Sequence, residues 1–331
     1  MEKINKLKKL LIDYNLDGYI IPKNDEFFDE YIPYNKDRLM FISNFSGTFG
    51  FALILKNFSD RQISIDKKLI NYIIKRFFEI ITIPNKLPFN VLKKKNFTIG
   101  FDPRLHTKKN LKIFFNRTHC SFKSINQNLI DKLWIRKKTN IVNKFYSLPK
   151  NVVGQSYKSK ISKLFDVLKN KKIDFQFISS SENIAWLLNI RGQDSEYTPL
   201  PNSYLVLDRK KKIYLFCDLK KISPSFRKIY KKIAIIDIKR TIFFLSKIKH
   251  KKFLIDSSSC SIYFEKEIKE NNKIIEYLDP IYFLKSIKAK VEIQNSIKSH
   301  IYDGVTLTKF LIWLKKNYYK KNINEITAQK K

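Results

Sequence analysis

Four histidines, His106, His119, His250 and His300, are the imidazoles from which these 331 residues would draw a metal ligand or a proton shuttle. Two-metal hydrolysis needs hard oxygen donors and imidazole brought together within bonding distance. The histidines are not spaced for that. His106 and His119 have no neighbouring carboxylate pair, His250 sits in a run of lysines, and His300 stands just ahead of Tyr302 and Asp303. Neither a His-Glu-x-x-His nor a His-x-x-Glu-His pattern occurs, so all four are expected to be exposed, capping or scaffold residues. Nucleophilic catalysis fares no better. There is no Gly-x-Ser-x-Gly elbow, and Cys120, Cys217 and Cys260 are scattered, without a Cys-x-x-Cys pair. With 7 glycines in all, Gly154 and Gly192 do not make a phosphate loop. No catalytic residue and no metal ligand is assigned.

The residues that remain informative lie in one stretch, Ser181 to Leu207 (SENIAWLLNIRGQDSEYTPLPNSYLVL). It reads as an apolar helix, a loop with two charges about Gly192, and a strand. Arg191 and Asp194 admit two readings. Either a charge-assisted hydrogen bond orders the loop, or both charges face the mouth of a site and contact substrate. Trp186 stands on the apolar helix face and is expected in the core.

The elements around this stretch alternate between helical and strand periodicity, which favours a layered α/β fold over a helical bundle. Residues 3–15 read as an amphipathic helix, followed by strands at 19–22, 51–55, 62–65 and 98–101. Helices are expected at 69–78 and, capped by Thr107, at 108–117. Residues 136–153, charged and bearing a proline, read as a connector. Beyond it the opening order returns: helix 155–169, Lys-Lys-Ile-Asp against the earlier Asn-Leu-Asp-Gly, then strand 173–178. Helix 182–189 and strands at 203–207, 212–217, 233–237 and 252–255 follow, with helices at 240–247 and 260–269. A long helical pattern from Val291 to Leu314 carries Ile293, Ile297, Ile301 and Val305 on one face.

Net charge is +36, yet only 10 of the 66 basic residues are Arg. Arg is the better fork for bases and phosphates, and the lysines are spread along the chain. Nucleic-acid binding is therefore expected to be non-specific and salt-sensitive. The N-terminus lacks the continuous apolar core of a signal peptide, and no run of about 18 apolar residues marks a membrane span. The scattered cysteines suit a reducing compartment. A soluble, cytoplasmic protein without membrane partners is expected.

Several segments, in order, resemble the Xaa-Pro aminopeptidases (aminopeptidase P, metallopeptidases of the M24 family) in their three-domain form. They are Leu16–Pro22 with Asp25, Glu26 and Glu30–Ile32; the run from Arg38 to Thr48; Ile99–Leu105; Asn128–Trp134; Glu182–Leu207; and Leu284–Ile293 with His300–Val305. The resemblance implies two consecutive creatinase N-terminal-like layered domains, 1–137 and 152–284. Residues 285–331 would begin a pita-bread catalytic domain, truncated before its chemistry. It implies a parent reaction, release of the N-terminal residue preceding proline, that uses two Mn-type ions. Their two Asp, one His and two Glu ligands lie downstream of this chain, which itself is expected to hold no cofactor and to be inactive alone. Where the family carries Thr-Asp-Gly-Arg-Tyr, this chain has Ile65-Asp66-Lys67-Lys68-Leu69. Lys68 stands at the position of a substrate-contacting Arg and keeps its charge without its planar fork. The partners implied are a second copy, a separate catalytic chain, and proline-containing peptides in the full-length enzyme. The alternatives are a non-catalytic interaction or dimerisation module and a basic polyanion-binding protein.

Overall fold

The computed structural model describes residues 2–56, 62–65, 79–82, 88–92, 96–136, 142–319 and 323–331. Lys68 and the helix expected over 69–78 lie outside the described residues. The chain builds two six-stranded mixed sheets, one after the other. The first unit runs α1 (Glu2–Asp13), β1 (Gly18–Pro22), α2 (Arg38–Ser43), β2 (Gly50–Leu55), β3 (Gln62–Ile65), β4 (Glu79–Thr82), α3 (Pro88–Leu92), β5 (Thr98–Phe101), α4 (Lys108–Phe115), β6 (Ser121–Ser124) and α5 (Leu129–Leu133). The second opens with β7 (Tyr146–Ser147), α6 (Lys150–Val153), α7 (Tyr157–Asn170), β8 (Phe175–Ile178), α8 (Ser181–Leu188) and β9 (Ile190–Arg191). It continues with β10 (Tyr204–Asp208), β11 (Ile213–Cys217), α9 (Pro224–Ile229), β12 (Ala234–Asp237), α10 (Thr241–Ser246), β13 (Lys252–Ile255), α11 (Ile262–Asn271), β14 (Lys273–Glu276) and α12 (Pro280–Ser286). Two further helices, α13 (Lys290–Asn317) and α14 (Glu325–Gln329), follow.

The two sheets share one topology. Their strand orders are β4-β3-β2-β1-β5-β6 and β12-β11-β10-β8-β13-β14. In each, a central strand lies antiparallel to the next on one side and parallel to a later one on the other. A central strand covered on both faces reads as a continuous apolar run, and every residue of β1, Gly-Tyr-Ile-Ile-Pro, is buried. Separate apolar clusters fill the two faces of each sheet, which is the layered arrangement that the alternating periodicity predicts.

The weak sequence repeat is matched by equivalent hydrogen bonds at several positions. Asp17 and Asp174 each precede the central strand. Asp17 accepts from the Thr98 amide at 2.9 Å and Asp174 from the Lys252 amide at 3.0 Å, and the amide of each aspartate donates back to that residue's carbonyl. Asn44 and Asn189 both end a helix in the left-handed conformation, at φ 59° and 57°, and glycine follows three residues later in both, as Gly47 and Gly192. Asp102 and Asp256 close the turns after β5 and β13, Thr107 and Ser261 cap the helices that follow, and Asn128 and Asp279 cap the last helix of each unit. The side chain of Asn128 donates to Asp102 at 2.8 Å, as the backbone N–H of Asp279 does to Asp256 at 3.2 Å. Sequence identity is low because this framework needs only short polar side chains at turns and caps.

Part of the stretch read as a connector packs with the second sheet. Phe145 is buried in the second unit's core, and Tyr146–Ser147 pairs with Ile190–Arg191. β6 and β14 were not legible in the sequence. Both are short edge strands with mostly exposed or half-buried side chains, so no alternation marks them.

α13 has 28 residues and no buried side chain. At about 1.5 Å per residue it extends roughly 42 Å. Near its start Asn295 donates to the Val152 carbonyl and Glu292 caps the helix by accepting from the Ala289 amide, and near its other end the Lys331 ammonium lies 5.8 Å from the Trp313 ring centroid. Gly304 lies in its middle with nothing within 4 Å of a Cβ placed there. Gly304→Ala is therefore expected to stabilise the helix by about 0.5–1 kcal/mol, read as a rise in helical circular dichroism and in the melting of that signal. Among the described residues no helix is long and apolar enough to cross a membrane.

Candidate functional site

Buried charge concentrates where the loop after β1 meets the Ser181–Leu207 stretch. That loop is built by Asp25, which is fully buried and accepts from the amides of Phe27 and Asp29 and from Lys36 Nζ at 3.0 Å. Next to it, the Arg38 guanidinium forks onto Asp131 at 2.8 and 2.9 Å and reaches Glu26 at 2.6 Å. Burial works against the Glu26 charge, but Arg38 and Lys36 hold its carboxyl down at about 2.

The loop crosses onto the second unit. Asn202 Nδ2 donates to Asp29 at 2.8 Å, the Tyr204 hydroxyl donates to the Glu26 carbonyl at 3.0 Å, and Phe27 stacks on Tyr204 with ring centroids 5.1 Å apart. Asp29 is buried beside Asp25, and burial and that neighbour push its carboxyl up to about 6, against the pull of Asn202 and Lys36. Cavities lie to either side. One of about 340 Å³ is lined by Asp29, Ser180, Ser181, Glu182, Ser259 and Tyr282. The other, of about 530 Å³, is lined by Lys36, Gln193, Asp194, Asn202, Asp218 and Lys221.

Asp194 thus faces a cavity. The loop is ordered by charge, but no Arg191–Asp194 bond is present. Asp194 pairs with Lys221 and accepts from the Asn202 amide at 2.7 Å. Arg191 turns back to the carbonyls of Ala185 and Ile190 at 3.1 and 2.9 Å. A helix end leaves carbonyls without partners and attracts cations, and Arg191 answers that need at the C-terminus of α8. Lys160 does the same from α7, donating to the Trp186 carbonyl at 3.0 Å and Asn189 Oδ1 at 2.7 Å. Burial lowers its ammonium to about 8, with Glu292 pulling the other way. Lys160 was missed in the sequence. The signal was its place on the apolar stripe of Tyr157, Ile161 and Leu164, where an aliphatic side chain is the expected occupant.

Gly192 keeps the charged loop close. A Cβ there would lie 2.7 Å from the Leu200 carbonyl and 2.9 Å from Pro201 Cα, both backbone atoms. Gly192→Ala is expected to cost about 1–3 kcal/mol through overpacking, measured by urea denaturation followed at Trp186, which packs against the same core.

His106 corrects an expectation. It is buried, edge-on to Phe101 with ring centroids 5.6 Å apart, and its Nε2 has no partner among the described residues. Burial pushes its imidazole down to about 3, so it is neutral. His119, His250 and His300 are exposed. Trp186 is half-buried against the second core, with the Lys160 ammonium 4.1 Å from its ring centroid. Among the described residues no group of three or more His, Cys, Asp or Glu side chains could hold a metal ion. These residues do not fit a two-metal centre.

Comparisons with known proteins place this geometry. The Creatinase/Prolidase N-terminal domain model matches residues 136–292. Xaa-Pro aminopeptidase 1 of Dictyostelium discoideum is 30% identical over 97% of this chain and 54% of its own length. A probable Xaa-Pro aminopeptidase P of Coccidioides posadasii is 28% identical over 100% of the chain and 54% of its own length. The solved X-prolyl aminopeptidase of Caenorhabditis elegans, described as a cytosolic enzyme with a di-nuclear active site, superposes with a TM-score of 0.86 at 24% identity, covering 99% of this chain and 58% of that one. The chain spans about half the length of the relatives it matches. It is a relative of the Xaa-Pro aminopeptidases along its whole length, with the mixed α/β fold of that family and a creatinase/prolidase N-terminal domain.

Proposed function

We propose that these residues are the non-catalytic N-terminal portion of a cytoplasmic, metal-dependent Xaa-Pro aminopeptidase. The observation that carries the reading is the match of the whole chain to about half of such enzymes. Residues 1–137 and 152–284 serve as two layered domains that wall the approach to a catalytic part, and residues 285–331 begin that part. Asp194 stands at the lip of this approach, Arg191 holds the lip in place, and Lys68 contributes a cation toward the peptide. The two divalent ions belong to the part beyond these residues and would supply the activated water there.

The exposed stripe of α13 supports a docking role. Ile293, Ile297, Ile301 and Leu311 are each about half exposed or more, a face that ordinarily marks an interface. In this reading it seats the metal-bearing portion, whether that is continuous with this chain or a separate one. A homodimer through the same stripe is the alternative that sedimentation distinguishes.

The test is direct. The purified chain, supplied with Mn²⁺, is expected to release no residue from an Xaa-Pro peptide. Turnover that co-purifies with the chain, in a preparation freed of host peptidases, would overturn the reading. The nucleotide sequence following the codon of Lys331 gives a second check, since metal-ligand motifs encoded there support the proposal.

A further inference from the structure

We propose that one end of the second sheet is a docking surface for double-helical nucleic acid, engaged through its phosphates and without sequence preference. In the sequence the lysines look evenly spread. The topology gathers nine of the 56 at one place. The N-terminal ends of the parallel strands β8, β13 and β14 and the turn joining β10 to β11 all lie at the same end of the sheet. Hydrogen bonds tie these segments together. The Asp174 amide donates to the Lys252 carbonyl, the Arg209 amide to the Asp174 carbonyl, and the Lys273 amide to the Lys251 carbonyl, at 2.8–3.0 Å.

The turns so joined read Lys-Asn-Lys-Lys at 169–172, Arg-Lys-Lys-Lys at 209–212 and Lys-His-Lys-Lys at 249–252. Every lysine in them is exposed. Of the carboxylates on this face, Asp174 is committed to Arg209 and to the Lys252 amide, and Asp208 to the Lys210 amide, while exposed Glu270 stands among Lys251, Lys252, Lys269 and Lys273. The five strands from β11 to β14 that bear these segments, at about 4.8 Å spacing, span about 19 Å, enough to face the phosphates of roughly five to six base pairs at about 3.4 Å each.

The side chains decide the class of partner. Lysines deliver point charges to phosphates and do not make the forked contacts with which Arg reads bases, so sequence goes unread. These turns carry no large apolar side chain of their own, which leaves an anionic bilayer without anchors there. Half-exposed Tyr277, with the Lys171 ammonium 3.9 Å from its ring centroid, offers one stacking surface beside them. The density of point charges favours a duplex, and tighter binding of a single strand of the same length in the same titration would overturn that choice.

The experiment measures fluorescence anisotropy of the 331-residue chain with a DNA duplex and an RNA duplex of about 20 base pairs, across roughly 50–200 mM KCl. Phosphatidylserine vesicles form a separate arm. The variant Lys210→Glu/Lys212→Glu/Lys251→Glu is compared with Lys9→Glu/Lys112→Glu/Lys158→Glu, which changes the net charge equally at exposed sites elsewhere. Wild type is expected to bind with a steep salt slope of about −0.9 per neutralised phosphate. The first variant is expected to lose more than about tenfold in affinity and to flatten the slope by about 2–3, while the second loses less than about threefold, because charges beyond about 10 Å are screened. Which duplex binds tighter identifies the source. Equal losses in the two variants, salt-independent binding, or binding to vesicles without binding to either duplex would overturn the proposal. If the glutamate variant does not fold, glutamines at the same three positions are expected to give the same order at smaller amplitude, and the absence of that order overturns it equally.

Discussion

Arg38→Met is expected to destabilise the first unit by about 2–4 kcal/mol. The side chain is 3% exposed and neutralises two carboxylates at once, Asp131 through a two-pronged contact and Glu26 through a third bond. Removing one partner of a buried ionic group typically costs about 3–5 kcal/mol, since the remaining charge stays buried. Here the acids are about a quarter exposed, and Asp131 keeps Arg136, which places the loss toward the lower end. Arg38→Lys retains charge without the fork, so an intermediate loss is expected. Urea unfolding followed at Trp134, stacked on Phe41 of α2 with centroids 4.8 Å apart, reads the change locally. The acid limb supplies a second readout. Glu26 is held below its ordinary value, so its contribution is present above about 4.5 and is lost as pH falls toward about 2. In the methionine variant that limb flattens. Equal stability of wild type and variant at neutral pH would show that the network contributes nothing.

Asn202→Ala is expected to cost about 2–4 kcal/mol at pH 7 and much less near pH 4. Asn202 is buried between the units, giving its Nδ2 to Asp29 and its backbone amide to Asp194. A hydrogen bond to a charged group is worth about 1.5–3 kcal/mol, and an unsatisfied buried carboxylate costs more. The sign follows from Asp29. Its folded pKa of about 6 lies above the ordinary 3.8, so its ionisation opposes folding. The associated stability is fully present below about 3.8 and is lost as pH rises through about 6. Removing the Asn202 donor raises that pKa further and deepens the loss above it. Thermal melts of both proteins between pH 4 and 8 are expected to converge on the acid side. A pH-independent gap would mean that Asn202 acts through packing alone.

The elements near the site were legible where periodicity and cap chemistry agree. Thr107 was read as a cap and accepts from the Asn110 amide at 3.1 Å. The apolar run of β1 and the helix–loop–strand of the Ser181–Leu207 stretch were read in place. What was not legible depends on contacts between distant residues. Nothing in the sequence couples Asp29 to Asn202 or Arg38 to Asp131, because such pairs meet only after both sheets have formed. His106 looked like an exposed or capping residue, since no carboxylate pair lies near it in the sequence, yet the turn after Asp102 folds it against Phe101. Arg191 and Asp194, close in sequence and opposite in charge, invited a pair that the α8 carbonyls and Lys221 compete away.

The meeting of the two units has a consequence for how this molecule assembles. Thr107 and Ser261, equivalent positions of the repeat, pair with each other in an antiparallel bridge. A bridge of that kind between equivalent residues has a local two-fold axis through it, the symmetry by which two copies of one subunit meet. At this point the contact has the local symmetry of a dimer interface, carried within one polypeptide. A tether makes the partner's effective concentration about millimolar, so this face can close with few contacts of its own. A handful of bonds, from the Ile262 amide to the His106 carbonyl and from the Tyr263 amide to the Pro103 carbonyl, then suffices.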